Sequence, residues 1–406
     1  FPYTTLFRSE ANLLFHNLND FIPARCMENG VDVLLVDEAH RIELSPNNKY
    51  TKKDHWTELS QIETLIRAAR SCVFFIDDRQ AIRHSEIGKT GLITSCAQTN
   101  HCKIENIVLE SQFRCNGSDN YLNWLEDVLY PRTASCSFSA EEYDFRIFDD
   151  PAELYRAIRE KNSEPGMKAR LTAGFCWEWS DPKKTGLVIN NDIKIGTFHM
   201  PWETHMSVTD RRHLPEGYCF WYEWAYSPYG IKQVGCIYTA QGFDFDYIGV
   251  IVGNDLKYNA SADSLDTEIT ATYDPVLKKD RKNFDTYVRN IYRVLMSRGM
   301  KGCYIYCVDK EVADYFRRRL IPRRGRLRAR RHAFARMKAQ RYIRQQSTLP
   351  KYRRFQTVCG CIAACPCAGP PQGAKKRFWR VRCECKDGTG TKSEKGINKN
   401  GTGMVK

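Results

Sequence analysis

The sequence predicts an α/β chain built on parallel sheets, and three observations carry that reading. Residues 31–36, Val-Asp-Val-Leu-Leu-Val, form a short β-branched and leucine-rich run of the kind buried in a parallel sheet. Further apolar runs alternate with helical spacing through the first 140 residues, which predicts βαβ units. A second set of strand and helix signals begins near Tyr143.

The elements run in order along the chain. Residues 10–29 read as partly helical and lead into the strand 31–36. Trp56, Leu59, Ile62, Leu65 and Ile66 fall at helical spacing and predict an amphipathic helix over 56–70. Residues 71–76 predict a second buried strand, ending in Asp77-Asp78. Residues 106–110 predict a third, followed by a helix over 121–129. In the second set, strands at 143–148 and 169–175 flank a helix near 152–161, and strands at 236–239 and 247–252 come next. A long helix over 284–296 then feeds a strand at 303–308. These signals place a domain boundary near residue 140, giving units at 10–140 and 141–320 and a tail at 321–406. The polar stretch 254–282 reads as a surface insertion.

Length and composition agree with this plan. A chain of 406 residues with 42% hydrophobic content can hold two or three domains with genuine cores. No apolar stretch approaches the 18 residues of a membrane span. Seventeen scattered cysteines favour a reducing cytosol over a disulfide framework. The net charge of +14 is unevenly placed. Residues 315–383 hold 21 Lys/Arg and no acid, and residues 384–406 add 5 basic and 3 acidic residues. Removing both from the totals of 62 and 48 leaves 36 basic and 45 acidic residues in 1–314, a net −9. A nucleic-acid groove in this acidic body would need local clustering of cations.

Both ends are unusual. Residues 1–9, Phe-Pro-Tyr-Thr-Thr-Leu-Phe-Arg-Ser, read as a translated sequencing-library adapter, which would make Glu10 the first authentic residue of a cut gene. The tail is arginine-rich over 317–354, with 329–346 able to form a basic helix. Cys359, Cys361, Cys365, Cys367, Cys383 and Cys385 lie beyond it. Their thiolates could ligate zinc, although the spacing lacks the C-x₂-C pairs of familiar fingers. Three readings stand: a basic nucleic-acid-binding appendage, a small metal knuckle, or a translated frameshift. The long absence of acids favours the last.

The chemistry starts where the first strand ends. Asp37 and Glu38 would emerge at a carboxyl strand end, the place where open parallel sheets bind ligands. One acid can hold Mg²⁺ while its neighbour orients a water for attack on a phosphate, the arrangement of a Walker B element. Gln80 comes just after the second strand, where a polar side chain could sense a γ-phosphate. Arg114 closes Leu-Glu-Ser-Gln-Phe-Arg, where a guanidinium could neutralise a transferring phosphoryl group, and Phe113 beside it could stack on a purine. Arg298 lies at the end of the long helix.

Asp-Glu-Ala-His-Arg at 37–41, Phe-Phe-Ile-Asp-Asp-Arg-Gln at 74–80, Glu-Ser-Gln-Phe-Arg-Cys-Asn-Gly-Ser at 110–118, Ala-Gly-Phe-Cys-Trp at 173–177, Tyr-Thr-Ala-Gln-Gly-Phe-Asp-Phe-Asp-Tyr at 238–247 and Leu-Met-Ser-Arg-Gly-Met-Lys-Gly at 295–302 occur in this order. Together they resemble the bacterial Schlafen-like ATPase/helicase family, whose motifs are similar to those of superfamily 1 helicases. The likeness covers about residues 20–320. It implies two RecA-like P-loop NTPase lobes with ATP between them, the first lobe incomplete here. On that resemblance Asp37 ligates Mg²⁺, Glu38 activates water, Gln80 reports on the γ-phosphate, and Arg114 and Arg298 are arginine fingers. Phe113 takes the adenine-stacking place. Gln241 and Gly242 resemble the motif that touches phosphate and ribose, with Asp244 where relatives often have glutamate.

One part is missing. No Gly-x-x-x-x-Gly-Lys-[Ser/Thr] loop occurs; Gly88-Lys89-Thr90 is a decoy, with Arg83 where the first glycine belongs. The expected function is therefore a fragment of a cytoplasmic, nucleic-acid-dependent ATPase, inactive by itself. The alternative is a non-enzymatic nucleic-acid-binding protein or regulatory ATP switch. Trp177, Trp202 and Thr239 are candidates for contacts with single-stranded DNA or RNA. His40 is expected to hydrogen-bond locally or to couple the lobes.

Overall fold

Val31–Val36 (β1) forms the strand its apolar pattern demands and pairs in parallel with Ala69–Ile76 (β2). The helix between them, Gln61–Ala68 (α1), is shorter than the 56–70 expected. Ser60 accepts the Glu63 amide at 3.2 Å, and this serine N-cap sets the start three residues before a glutamate. Trp56 stays outside, exposed, its indole donating to the Thr51 carbonyl. The computed structural model describes residues 15–320 except 84, 110–114, 131–137 and 139–141, together with the backbone of 377–382. Residues 1–9, Phe113, Arg114 and the six tail cysteines therefore lie outside the described residues.

Thr90–Thr99 (α2) leads to Lys103–Val108 (β3), three residues earlier than the pattern suggested at its start. α1 and α2 cover one face of this first sheet, where Leu34, Val36, Phe74 and Ile76 meet Ile62, Leu65, Ile66 and Ile93 in one core.

Asp119–Leu129 (α3) is next, capped by Ser118. Then come Asp144–Phe148 (β4), Pro151–Ser163 (α4), Ala169–Ala173 (β5), Pro182–Thr185 (α5) and the hairpin Ile193–Ile195 (β6) with Phe198–Met200 (β7). Ile237–Ala240 (α6) is a helical turn where the sequence suggested a strand at 236–239. Thr239 explains the change. Its hydroxyl accepts the Cys236 amide at 3.1 Å, closing a local turn that competes with extended pairing.

Phe245–Val252 (β8) is followed by Leu256–Asn259 (β9) and Ser264–Thr267 (β10), an antiparallel pair. The stretch expected as a surface insertion thus holds a hairpin whose Leu256 and Leu265 are buried in the main core. Pro275–Lys279 (α7), Phe284–Met296 (α8), Gly299–Cys307 (β11) and Lys310–Arg319 (α9) complete the second unit. Its sheet has the order β4-β11-β8-β5, parallel throughout. The fold is mixed α/β with one wholly parallel four-stranded sheet, and no described helix is long and apolar enough to cross a membrane.

Two expectations need correction. The boundary near residue 140 falls inside a core: Tyr121, Trp124, Leu125 and Phe138 pack with Phe145, Val294 and Phe316. α3 therefore belongs with the second sheet, because its apolar face is completed there. The tail, expected to be irregular, contributes a strand, Arg377–Arg382 (β12), which lies between β2 and β3 and is antiparallel to both.

Trp124 anchors this packing: it is 1% exposed, and its indole donates to the Arg319 carbonyl at 2.9 Å. Trp124→Ala is expected to cost about 3–5 kcal/mol, measured by denaturant unfolding. A loss under about 1 kcal/mol would show α3 to be peripheral.

Candidate active site between the two sheets

The carboxyl ends of β1 and β2 face the end of α8, and polar side chains from both sheets converge there. Glu38 leaves β1 with φ of 50°, in the left-handed region. Such a conformation is strained for a non-glycine residue and recurs at functional positions. Asp37, exposed, accepts the Glu38 amide at 2.9 Å. Glu38 Oε2 lies 3.3 Å from His40 Nε2. His40 is 1% exposed; burial lowers its pKa, with the Glu38 carboxylate pulling the other way. Burial thus favours the neutral ring, which holds one proton.

That proton has two possible places. His40 Nε2 is also 3.2 Å from Gln241 Nε2, across the junction. Protonated at Nε2, the ring can donate to Glu38; protonated at Nδ1, it can accept from Gln241. Gln241 donates in addition to the Gln80 carbonyl at 3.1 Å. Its side chain thus reaches into the first sheet instead of lying free for a phosphate or ribose. Gly242 comes next, with φ of 95° and open space where a Cβ would sit. This exposed backbone ends the α6 turn at the cleft.

Gln80 is buried beneath these groups. Its amide donates to Asp77 Oδ2 at 3.0 Å, and its carbonyl oxygen accepts Arg298 Nη2 at 3.4 Å. Arg298 is 1% exposed and also lies 3.6 Å from Asp244. Asp244 therefore holds the guanidinium rather than standing free as a ribose ligand.

Five residues earlier, on α8 itself, Arg293 sits between Asp77, at 3.4 Å, and Glu126, at 3.3 Å. Burial alone would raise the Asp77 pKa. The Arg293 guanidinium and Gln80 amide outweigh it, so the carboxyl titrates below its ordinary range. The stabilisation this gives is present above the ordinary carboxylate pKa and lost as pH falls through the lowered one. Arg79 also pairs with Glu126, and Asn290 donates to the Ala81 carbonyl at 2.8 Å. Sequence reading missed Asp77, Arg293, Glu126 and Asn290. Arg293 sits two residues before the Leu-Met-Ser-Arg-Gly motif, but nothing in its spacing marked it as the bridging cation.

Gly88-Lys89-Thr90 has a structural role. A Cβ at Gly88 would fall 1.8 Å from the Ala39 carbonyl oxygen, so glycine is needed for close approach behind Glu38. The Gly88 amide donates to the Ile42 carbonyl, and that of Thr90 to Asp78. With those amides engaged, this turn offers no phosphate cradle.

The proposed base-stacking residues divide. Trp202 is 2% exposed and stacked on Phe175, its indole bonded to the Glu178 carbonyl. No face remains for a base, so that expectation is corrected. Trp177 is half-buried at its edge. Thr239 is buried, 3.1 Å from Glu203 Oε1. Among the described residues no group of three His, Cys, Asp or Glu could hold a metal. The ten described cysteines are free thiols.

Residues 4–309 match the Schlafen group 3 DNA/RNA helicase domain. The chain belongs to this family. It is also similar to the uncharacterized protein YPL245W of Saccharomyces cerevisiae, 27% identical over an aligned length of 321 residues, with 70% of this chain and 64% of that protein covered. The Schlafen group 3 chain therefore spans less than two thirds of that relative's length. The matched segment contains both sheets' strands except β12, and every junction residue described above.

The geometry of this Schlafen group 3 domain yields two predictions. Arg293→Met removes the cation shared by Asp77 and Glu126. Amides 77–83 should then exchange faster by hydrogen-exchange mass spectrometry, while those of β8 hold. Unchanged exchange would show that the junction does not depend on the pair.

The second concerns Glu203, 1% exposed, whose Oε2 has no hydrogen-bond partner among the described residues. Burial raises its pKa from 4.5 to about 7, against weaker opposing bonds from Cys236 and Thr239. The folded state keeps this proton where the unfolded state has lost it, so stability from this group falls as pH rises from 4.5 to 7. Glu203→Gln should gain on the parent by about 3 kcal/mol across that interval and no further above it. Urea unfolding at a series of pH values measures this; a pH-independent difference would refute it.

Proposed function

We propose that this chain is part of a nucleic-acid-dependent NTPase, a DNA/RNA helicase or translocase in its intact parent. The two sheets would be the cores of two RecA-like lobes, working in the cytoplasm on single-stranded DNA or RNA. One observation supports the reading most: a buried arginine after α8, Arg298, meets Gln80 at the carboxyl end of β2. A guanidinium from one sheet and a polar sensor from the other are thus placed to respond to one anion, and closure over that anion would move both sheets.

In this reading Asp37 would hold Mg²⁺, and Glu38 would orient the attacking water. The ion itself would neutralise phosphate charge. The strained backbone at Glu38 and the exposed carboxylate of Asp37 suit those tasks. Mg²⁺ needs only one or two protein carboxylates beside phosphate and water ligands. His40 would relay the state of Glu38 to Gln241 by the position of its single proton. Gly242 would offer backbone to the nucleotide, and Phe113 and Arg114, outside the described residues, would stack on adenine and supply a second finger. The residues present fit the γ-phosphate end of ATP. They do not fit the rest, since among the described residues no loop of free amides and no phosphate-loop lysine stands beside them. Chain 1–406 is accordingly proposed to be inactive by itself.

In a longer relative carrying a phosphate loop, single-stranded nucleic acid should stimulate ATP turnover. The substitution equivalent to Glu38→Gln should lower it about 100-fold or more. Turnover indifferent to nucleic acid would remove the motor reading, and Glu38-dependent hydrolysis by 1–406 would contradict the inactivity proposed for this chain.

A further inference from the structure

We propose that the loop 47–57, between β1 and α1, binds single-stranded nucleic acid, with Tyr50 and Trp56 stacking on bases and Lys49, Lys52 and Lys53 meeting phosphates. Residues 1–314 carry a net charge of −9, so a surface for a polyanion there requires cations gathered locally. This loop gathers them. It holds three lysines and a single acid, Asp54, interleaved with two aromatic rings. All three lysines are exposed, and none forms an ion pair with a described carboxylate. Other exposed cations are engaged: Arg25 with Asp20, Arg67 with Glu63, and Arg212 with Asp210. The Lys49 ammonium lies 4.8 Å from the centre of the Tyr50 ring. A cation beside an open ring matches a phosphate beside a stacked base.

The rings have no part in the described cores. Tyr50 is 81% exposed and Trp56 61%. Their positions are nevertheless fixed, because the loop is ordered from within. Asn47 ties its two ends, donating to the Thr57 carbonyl at 2.6 Å and accepting the Thr57 amide at 3.3 Å. The Asn48 side chain accepts the Tyr50 amide, and the Thr51 hydroxyl accepts the Asn48 amide, each at 2.9 Å. The Trp56 indole donates to the Thr51 carbonyl at 3.1 Å, which holds the ring by one edge. Groups held in advance lose less freedom on binding. The loop leaves from the carboxyl end of β1, the sheet end that carries Asp37 and Glu38. Ligands of parallel sheets gather at that end.

Rings and lysines also suit an anionic membrane surface. Residues 47–57 contain no Leu, Ile, Val or Met to insert among acyl chains, whereas a base needs only the face of a ring. The inference rests on the nucleic-acid side of the function proposed above and on none of its nucleotide chemistry.

The test uses the full chain and three labelled probes of about 12 nucleotides: oligo(dT), oligo(rU) and a base-free phosphodiester chain. Binding is measured in about 0.5 M salt, where attraction to the arginine-rich tail is screened. Tyr50→Ala and Trp56→Ala should each weaken the base-bearing probes about fivefold or more and leave the base-free chain unchanged. Trp56→Phe, which keeps a ring without the bond to Thr51, should stay within about twofold of the parent. The base-bearing probe that loses more identifies the strand as DNA or RNA. Lys49→Ala, Lys52→Ala and Lys53→Ala together should make the fall of log affinity with log salt shallower by about 2. Unchanged amide exchange at 245–252 verifies that the variants are folded. Variants that bind oligo(dT) and oligo(rU) as tightly as the parent would overturn the proposal, as would equal losses on the base-free chain. Binding to phosphatidylserine vesicles that falls in these variants, with oligonucleotide affinity intact, would assign the loop to a membrane instead. A parent that ignores both base-bearing probes would remove the nucleic-acid part of the proposed function as well.

Discussion

Arg293 is the cation on which the junction of the two sheets depends. It leaves α8 on the second unit and lies between Asp77, at the end of β2, and Glu126, on α3. A cation so little exposed needs partners of opposite charge, because desolvation alone would make it costly. Asp77 supplies one, and Asp77 is also what holds the Gln80 amide. With Gln80 fixed, its oxygen meets Arg298 and its backbone carbonyl accepts Gln241. One ion pair thus orders a chain of contacts that reaches from α8 to the glycine turn at Gly242.

Charge alone does not account for the arrangement; the backbone does much of it. Glu38 is turned toward His40 by a left-handed φ that Gly88 helps to fix, packing without a side chain against the Ala39 carbonyl. Gln241 can cross the junction because α6 is a tight turn and not a strand. Glu203 and Thr239, both buried, hold the base of that turn through a hydrogen bond. Rigid supports under short polar side chains are what precise placement requires.

Much of this was legible in the residues. α8 was bounded correctly because its apolar positions recur strongly at helical spacing, and β1 because a short β-branched run ends at two acids. Asp37, Glu38, Gln80 and Arg298 were named from order and position along the chain, and the structure brings Glu38, Gln80 and Arg298 into one cluster with Asp37 at its edge. The failures have physical causes. Trp202 carries no mark in sequence that distinguishes a core indole from an exposed one, and packing on Phe175 decided it. The strand suggested at 236–239 yielded to a side-chain turn. The boundary near 140 misplaced α3, since an amphipathic helix does not state which core it will complete.

What the sequence by itself determined is local: the periodicities that make strands and helices, the acids at a strand end, and the lack of a glycine-rich lysine loop. These depend on neighbours a few residues away. The tertiary structure alone decided which charges meet, because Arg293 and Asp77 are separated by 216 positions. It also decided that Asp244 and Gln241 are engaged at the junction, and that a strand from the tail lies between β2 and β3. Burial and partner choice are properties of the assembled core, and desolvation, which sets the cost of leaving a charge unpaired, exists only after the chain has closed around it.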